Sequence, residues 1–280
     1  MKSFPSMPRL ADAPPELLSG GHLWILEKLD GANVRFALAD TGQVVFGDRS
    51  RVYEGALPEP YRHAARHVRA SLDRGALREA VSDPTAFVFF GEAMHRHAID
   101  YDWERTPSFL GFDVWSAAHE RFLPPDAVER AFERVGLEPA NTFAKEVPAQ
   151  HFEPASYEIP RSAWYDGPAE GVVLRSKTGL RAKLLHPDFR EVDDTVPVET
   201  TDPGELAARY ATDRRIEKRV TKLEDHERPV EFDRVYERVL EDVVREEHKR
   251  LFHGDRPVDM RAFRSAIAER VRRYLDEREG

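Results

Sequence analysis

The sequence predicts an α+β fold, in which a domain with antiparallel sheets is followed by a small all-helical C-terminal domain. Short runs rich in Val, Ile, Phe and Trp, typical of strands, recur through the first two-thirds of the chain. Residues 191–204 contain the prolines and acidic residues of a linker, and from 205 to 278 apolar residues recur at helical spacing only. We therefore expect two domains, at residues 1–195 and 204–280.

The elements of the first domain follow from its apolar pattern. The predicted strands are residues 23–38, 43–47, 86–94, 108–115, 171–176 and 180–185, and the turns ADTG and KTG join the first and last pairs. One predicted helix covers residues 59–80, where apolar side chains recur at helical spacing. A second helix, at residues 124–136, begins with Pro-Pro-Asp and ends at Gly136.

The second domain is predicted to be a bundle of three or slightly more helices. Its apolar residues fall into three groups, each at the spacing of one buried helical face. They are Leu206, Tyr210, Ile216 and Val220; then Phe232, Val235, Tyr236, Val239, Leu240 and Val243; then Phe263, Ile267, Val271 and Leu275.

Composition limits the classes of function. The chain has 280 residues, of which 41% are hydrophobic, so it can bury a large core. It contains no run of about 18 apolar residues and its N-terminal prolines are unlike a signal peptide, so no membrane association is expected. The absence of cysteine excludes disulfides, thiolate zinc sites and a cysteine nucleophile, and fits a cytoplasmic protein. A net charge of −9 usually argues against nucleic-acid binding, but net charge describes solubility better than it describes a site.

Lys28 lies inside the apolar run ILEKLDGANVRF, in a chain that has only 8 lysines against 34 arginines. A free lysine is protonated at neutral pH and therefore does not act as a nucleophile. Partial burial beside Leu29 and Val34, with other cations close by, favours the neutral amine. Asp30-Gly31 then supplies a tight turn where a ligand can approach the backbone. The pattern indicates a covalent lysine nucleophile; the alternative is a surface lysine before a β-turn.

Six segments resemble, in order and spacing, the motifs of the covalent nucleotidyltransferase superfamily of ATP-dependent ligases and capping enzymes. They are EKLDGAN (27–33), FGDRSR (46–51), FFGEAM (89–94), FLGFDVW (109–115), EGVVLRS (170–176) and LRAKLLHPDF (180–189). Within this superfamily the chain is most similar to ATP-dependent RNA ligases of the RNA ligase 2 type, over about residues 4–190. The resemblance implies that the first domain has the nucleotidyltransferase (ATP-grasp-like ligase) fold.

The resemblance implies a role for each charged motif residue at the phosphates. Lys28 attacks the α-phosphate of ATP and becomes a lysyl-AMP phosphoramidate. Lys183 and Arg181 are alternate residues of one strand, so both can face the negative charge that develops at phosphorus. The family more often has lysine at both of these basic positions, and arginine keeps the charge while adding a bidentate fork. Glu170 begins a strand and holds a divalent cation, Mg²⁺ or Mn²⁺.

The remaining motif residues are expected to bind the nucleoside and the incoming end. Phe112 stacks on adenine, Glu27 lies at the adenine edge, and Glu92 accepts from a ribose hydroxyl or supports the metal. By resemblance, Arg49 contacts the nucleotide or the incoming end, with Arg51 as the alternative, and Asn33 positions the reacting phosphate. The plainer alternatives are core packing for Phe112 and solvated strand ends for the two glutamates Glu92 and Glu170.

Two further clusters allow more than one interpretation. The segment GEAMHRHAIDYDW brings His95, His97, Asp100 and Asp102 together, as in some zinc sites, and its alternative is a polar loop after a strand. The arginines of the helical domain either contact the RNA backbone or form surface ion pairs. They are Arg214, Arg215, Arg219, Arg272 and Arg273.

The sequence therefore predicts an ATP-dependent RNA ligase that joins 5′-phosphate and 3′-hydroxyl ends of RNA, in a nicked duplex or a hybrid or as free ends. The helical tail differs from the OB barrel of DNA ligases and capping enzymes. No separate domain is seen before Lys28, as an NAD-dependent ligase would have, so ATP is the expected donor. The alternatives are a DNA ligase, an RNA-capping guanylyltransferase, or a non-catalytic module that binds nucleic-acid ends.

Overall fold

A computed structural model describes residues 1–189 and 200–279 of the chain. The described residues divide into two compact units, one with residues 1–94 and 98–189 and the other with residues 95–97 and 200–279. The predicted linker, residues 191–204, lies mostly outside the described residues, as does the predicted domain end at residue 195.

The first unit contains two antiparallel sheets. One sheet has the strand order β10-β9-β1-β8 and the other has the order β4-β3-β2-β5-β6-β7. The strands are β1 (His22–Lys28), β2 (Ala32–Leu38), β3 (Val44–Gly47), β4 (Val52–Tyr53), β5 (Phe87–Ala93), β6 (Phe109–Ser116), β7 (Arg121–Phe122), β8 (Thr142–Pro148), β9 (Gly171–Ser176) and β10 (Arg181–Leu185). The helices of this unit are α1 (Glu16–Ser19), α2 (Glu59–Ser71), α3 (Arg74–Ala80) and α4 (Pro125–Arg134).

Two predicted elements of this unit differ from the structure for local reasons, and strand β8 is absent from the prediction. The predicted strand 23–38 is two strands in different sheets, because the chain leaves β1 at Leu29 and enters β2 at Ala32. The predicted helix 59–80 is two helices, because Asp73 is extended and its side chain accepts from the Ala76 backbone as the cap of α3. Strand β8 was missed because it is a half-exposed edge strand whose centre reads Ala-Lys-Glu.

The core of this unit lies on both faces of the six-stranded sheet. On one face, apolar side chains of β2, β5 and β6 pack against α2, α3 and α4, with Phe36 and Phe89 stacked at 4.9 Å. On the other face, Leu110 of β6 packs with Trp24 and Leu26 of β1, so the two sheets share a core. The ends of β1, β2, β5 and β9 meet beside this shared core, and polar side chains there face a pocket.

The second unit is helical, as predicted, and its described part has more helices than the sequence indicated. They are α5 (Pro203–Tyr210), α6 (Asp213–Asp225), α7 (Phe232–Glu246), α8 (His248–Phe252) and α9 (Met260–Glu279). The first predicted helix is divided into two helices, α5 and α6. The division occurs because Thr212 is extended and its hydroxyl accepts from the Arg215 backbone as the cap of α6. All three predicted apolar groups contribute to one core.

Within residues 1–189 and 200–279, no helix combines the length and the apolar character needed to span a lipid bilayer.

Candidate active site

A single pocket of the first unit collects eight of the nine predicted site residues. Its lining includes Glu27, Lys28, Asn33, Arg49, Glu92, Phe112, Arg181 and Lys183. The ninth, Glu170, bonds directly to Lys28. These nine residues come from seven different strands or turns, so their convergence is a property of the fold and not of any one segment.

The amine of Lys28 donates to a carboxylate oxygen of Glu170 at 2.5 Å. Both side chains are largely buried, with 20% and 9% of their surfaces exposed. The strand register brings them together, since Lys28 at the end of β1 pairs with Gly171 at the start of β9. The sequence suggested cations beside Lys28 that favour the neutral amine. The structure places a carboxylate in direct contact with this amine, and the cations Arg181 and Lys183 line the same pocket.

Two glutamates beside Lys28 hold protons more tightly than free glutamate does. Burial raises the pKa of Glu92 to about 8 and the pKa of Glu170 to about 7, while the charge of Lys28 opposes both shifts. Asp30 raises both values further through its negative charge. Asp30, Glu92 and Glu170 thus raise the local negative charge beside Lys28 in a poorly solvated place, and an added cation would stabilise this arrangement.

Glu170 has a carboxylate oxygen that is available to bind a metal ion. Its Oε1 accepts from Lys28, whereas its buried Oε2 has no hydrogen-bond partner among the described residues. A buried carboxylate oxygen without a donor is unfavourable unless a cation or water satisfies it. The donor chemistry therefore fits Mg²⁺ or Mn²⁺, which prefer carboxylate and phosphate oxygens. No group of three or more His, Asp or Glu side chains in the described ranges could hold a metal ion on its own.

The Glu27 carboxylate is held by hydrogen bonds from three residues. Its carboxylate accepts from the Ser162 hydroxyl at 2.6 Å, the Asn141 amide at 3.1 Å and the Ala163 backbone at 3.2 Å. Burial nevertheless raises its pKa. The carboxylate is therefore held rigidly at the pocket wall, and its predicted place at the adenine edge stays a prediction.

Asp30 and Gly31 serve the protein's own packing. The Asp30 carboxylate accepts from the backbones of Ala98 and Ile99, at 2.7 and 2.6 Å, and so anchors the loop after β5. A Cβ on Gly31 would lie 2.5 Å from the Ala93 carbonyl oxygen. Glycine is therefore required by the neighbouring strand, and not only by a ligand as the sequence suggested.

The basic wall of the pocket is built around one buried carboxylate. Asp113, which is 1% exposed, bonds to both Arg181 and Arg175. The Arg181 guanidinium also lies over the Phe122 ring, 4.5 Å from its centre. Arg181 is thus positioned by Asp113, while Lys183, two residues along β10, lines the same pocket. This geometry agrees with the expectation that the two cations lie on the same face of one strand.

The apolar wall of the pocket has a contribution from the chain's N-terminal segment. Phe112 of β6 and Val173 of β9 both line the pocket and both belong to the core between the sheets. The Phe4 ring packs edge-on against Phe112, with centroids 5.0 Å apart, and residues 4–7 line the pocket. Phe112 is half-buried, so it combines the core packing of one alternative with a face available for stacking.

The turn between β3 and β4 distinguishes Arg49 from Arg51. Asp48 accepts from the backbones of Ser50 and Arg51, both at 2.7 Å, and from the Tyr53 hydroxyl. This turn is therefore rigid, and it places Arg49 in the pocket lining, which does not include Arg51. Asn33 also lines the pocket, and its buried Oδ1 has no hydrogen-bond partner in the described part of the chain.

Several residues of the pocket were not assigned roles from the sequence. Asp113 and Arg175 lie inside quoted motifs, yet their pairing joins positions 62 residues apart and has no local signal. Phe4 stands in a proline-containing segment with no periodic pattern. A buried arginine on β2, Arg35, was likewise overlooked because arginine in an alternating strand ordinarily faces solvent.

The alternative clusters have structural explanations. His95 stacks on His248 at 3.6 Å, while Asp100 accepts from the Trp103 indole and Asp102 pairs with Arg105. In the helical unit, Arg215 and Arg219 form ion pairs with carboxylates of α7, and Arg272 lies over the Phe232 ring. These contacts favour the polar-loop interpretation for the first cluster and the ion-pair interpretation for Arg215 and Arg219, whereas Arg272 makes a cation–π contact. Arg214 and Arg273 stay predictions.

Comparison with known proteins supplies the family. Residues 21–187, more than half of the chain, match the RNA ligase family. The chain therefore belongs to the RNA ligase family, which confirms the resemblance in its motifs. No curated protein was found to match.

Solved structures support the same fold. A mutant of Naegleria gruberi RNA ligase with ATP and Mn is 15% identical, with a TM-score of 0.52 over 68% of this chain and 57% of that chain. The Naegleria gruberi RNA ligase with PPi gives a TM-score of 0.51 at the same identity and coverage. An archaeal ATP-dependent RNA ligase is 21% identical over 99% of this chain and 65% of that one, at a TM-score of 0.49. The present chain thus spans 57% of the length of the Naegleria structures, and the predicted α+β nucleotidyltransferase fold is confirmed.

Proposed function

We propose that this protein is an ATP-dependent RNA ligase that joins 5′-phosphate and 3′-hydroxyl ends through a lysyl-AMP intermediate. The observation that carries the proposal is the contact of Lys28 with Glu170 in a pocket that is apolar on one side and basic on the other. A nucleoside fits between Phe112 and Val173, and phosphates fit beside Arg181 and Lys183. The RNA ligase family of the chain supports this assignment.

In the first step the neutral amine of Lys28 attacks the α-phosphorus of ATP. A P–N bond forms, the bond to the pyrophosphate oxygen breaks, and the amine proton leaves to an acceptor or to water. Arg181 and Lys183 stabilise the charge that develops on the α-phosphate oxygens. Arg181 is held for this role by Asp113, which prevents its long side chain from moving away.

A divalent cation fits beside Glu170, where the free Oε2 can hold it. When bound, the metal neutralises charge on phosphate oxygens and on the carboxylate next to Lys28. Solved structures of two Naegleria gruberi RNA ligase mutants contain ATP with Mn and AMP with Mn. We infer the same pair, ATP with Mg²⁺ or Mn²⁺, for this chain.

In the second step AMP moves from Lys28 to a 5′-phosphate and forms a 5′,5′ pyrophosphate link. In the third step a 3′-hydroxyl attacks that 5′-phosphate, the phosphodiester forms, and AMP leaves. Asn33 and Arg49 lie at the pocket lining where the incoming phosphate can be positioned. RNA ends are the expected substrate, free or at a nick in a duplex or hybrid.

Sealing of defined ends tests the proposed function. The protein is incubated with ATP, Mg²⁺ or Mn²⁺, and 5′-labelled strands in four forms: single-stranded RNA, nicked RNA duplex, nicked DNA duplex and nicked hybrid. We expect joined product with an RNA 3′-hydroxyl and an adenylated strand as its precursor. Sealing of DNA nicks alone would identify a DNA ligase, and activity with GTP but not ATP would identify a capping guanylyltransferase. Binding of ends with neither product would identify a non-catalytic module.

A further inference from the structure

The Glu27 carboxylate bonds through both of its oxygens to residues that the proposed chemistry does not use. Oε1 accepts from the Ser162 hydroxyl at 2.6 Å, and Oε2 accepts from the Asn141 amide at 3.1 Å and from the Ala163 backbone at 3.2 Å. Glu27 is 3% exposed, yet it lines the pocket. A carboxylate has about four lone-pair sites, so these bonds leave it able to accept from a ligand in the pocket.

Ser162 lies in a short loop, residues 160–169, that is closed by its own hydrogen bonds. A backbone hydrogen bond of 2.9 Å joins the two ends of the loop, and the Ser162 N–H donates to the Gly167 carbonyl at 2.9 Å. The Ser162 hydroxyl accepts from the Trp164 backbone at 3.0 Å, so its own proton is directed at Glu27. The loop therefore fixes the direction of the bond that it gives to Glu27.

Asn141 holds residue 27 through its backbone and through its side chain. Its carbonyl accepts from the Glu27 N–H at 2.8 Å, while its amide donates to the Glu27 carboxylate. The preceding residue, Ala140, lines the pocket and donates to the Gly111 carbonyl at 2.6 Å, next to Phe112. Asn141 thus links Glu27 to the strand of Phe112, and the two predicted contacts to the base are held in one arrangement.

The donors around Glu27 favour its ionised form. Burial is the largest effect and raises the pKa of Glu27, while the bonds from Ser162, Ala163 and Asn141 lower it. An ionised carboxylate only accepts hydrogen bonds, whereas a protonated one also donates. Adenine carries an amino donor at position 6, and guanine carries an oxygen acceptor there. A fixed, ionised Glu27 therefore attracts the amino group and repels the oxygen.

We propose that Ser162 and Asn141 are positioning residues that set which purine nucleotide this pocket accepts. They hold the Glu27 carboxylate ionised and in a fixed orientation, so that a base with an amino group at position 6 is favoured over one with an oxygen there. The inference rests on the proposed function. It adds to that function two residues outside the six motifs, which restrict the nucleotide donor to a 6-aminopurine.

The test compares AMP with inosine monophosphate, which has an oxygen in place of the amino group at position 6. Ser162→Ala and Asn141→Ala remove donors to different oxygens of Glu27. Ser156→Ala is the matched control, because this exposed hydroxyl bonds only weakly, to the Glu153 carbonyl at 3.5 Å. Each protein is titrated by calorimetry with both monophosphates. We expect the preference for AMP to fall roughly 10-fold or more in Ser162→Ala and Asn141→Ala, as for loss of hydrogen bonds to a charged group, and to stay unchanged in the control.

Covalent labelling gives a second readout of the same preference. Rates of Lys28 labelling from ATP and from inosine triphosphate should show the same fall in their ratio for Ser162→Ala and Asn141→Ala. Thermal unfolding identifies a variant that does not fold, and the other variant then decides the result.

An unchanged ratio of AMP to inosine monophosphate affinity in the folded variants, with both affinities falling together, would overturn the selectivity role. A wild type that binds the two monophosphates equally well would also overturn it. A wild type that prefers AMP but seals no ends would support the selectivity and contradict only the ligase assignment, so the two failures are distinguishable.

Discussion

Lys28 and Glu170 are joined amine to carboxylate at 2.5 Å, across the pairing of β1 with β9. The contact links the predicted nucleophile to the predicted metal ligand.

Replacing Glu170 by Gln should slow adduct formation with little change in packing. The amide keeps the volume of the carboxyl group but cannot neutralise a metal, and Lewis-acid stabilisation amounts to several kcal/mol, so we expect a loss on the order of 100-fold or more. Initial rates of Lys28 labelling against Mn²⁺ concentration measure this. Glu79→Gln, an exposed glutamate on α3, is the matched control. Labelling of Glu170→Gln at the control rate would contradict the metal assignment.

Arg49 and Arg51 offer a matched pair of exposed arginines on one turn. Arg49 lines the pocket and Arg51 is outside its lining. We expect Arg49→Ala to bind ATP or a 5′-phosphorylated end roughly 10- to 100-fold more weakly, and Arg51→Ala to bind like the wild type. Calorimetric titration of both variants measures this. Equal losses in the two variants would show that only general charge is involved.

Asp113 should be essential to folding stability. Its removal leaves Arg175 and Arg181 buried without their shared carboxylate, and breaking such a pair costs about 3–5 kcal/mol of unfolding free energy. Denaturant unfolding of Asp113→Asn measures the loss. Glu129→Gln removes the more exposed pair with Lys145 and should change stability by only about 0–1 kcal/mol. Similar values for the two variants would refute the structural role of Asp113.

Glu92 should make the unliganded protein less stable as pH rises. In the folded protein its pKa is about 8, against 4.5 for the free group, so the folded state binds more protons between these values. Stability then falls with pH across that window, because the folded state must give up a proton it holds tightly. Glu92→Gln removes this contribution, and the stability difference between variant and wild type should grow from about pH 5 to about pH 8. A difference in unfolding free energy between Glu92→Gln and the wild type that does not change with pH would contradict this prediction.

The motif-bearing strands could be predicted from the sequence because each is a short alternating or apolar run ended by a turn. The breaks within them could not, since the separation of β1 from β2 depends on Asp30 holding a loop almost 70 residues away. Edge strand β8 has polar residues at its centre and forms only by pairing with β1. The local sequence pattern does not predict such contacts between distant residues.

More of the candidate site than of the surrounding fold could be predicted from the sequence. The motifs identified residues that the structure gathers at one pocket, because the strands and turns that carry them border that pocket. The sequence did not indicate the residues that support the site, which are Asp113 between two arginines and Phe4 against Phe112. These residues act through contacts with residues that are distant in the sequence. A single sequence does not show which distant residues are in contact.

Covalent labelling of Lys28 tests the central claim most directly. Wild type, Lys28→Ala and the control Lys145→Ala, an exposed lysine on β8, are each incubated with ATP and Mn²⁺ and then denatured. Intact-protein mass spectrometry with peptide mapping should show one added AMP on Lys28 in the wild type and the control, and none in Lys28→Ala. AMP on another residue, or a wild type without any adduct, would contradict the account.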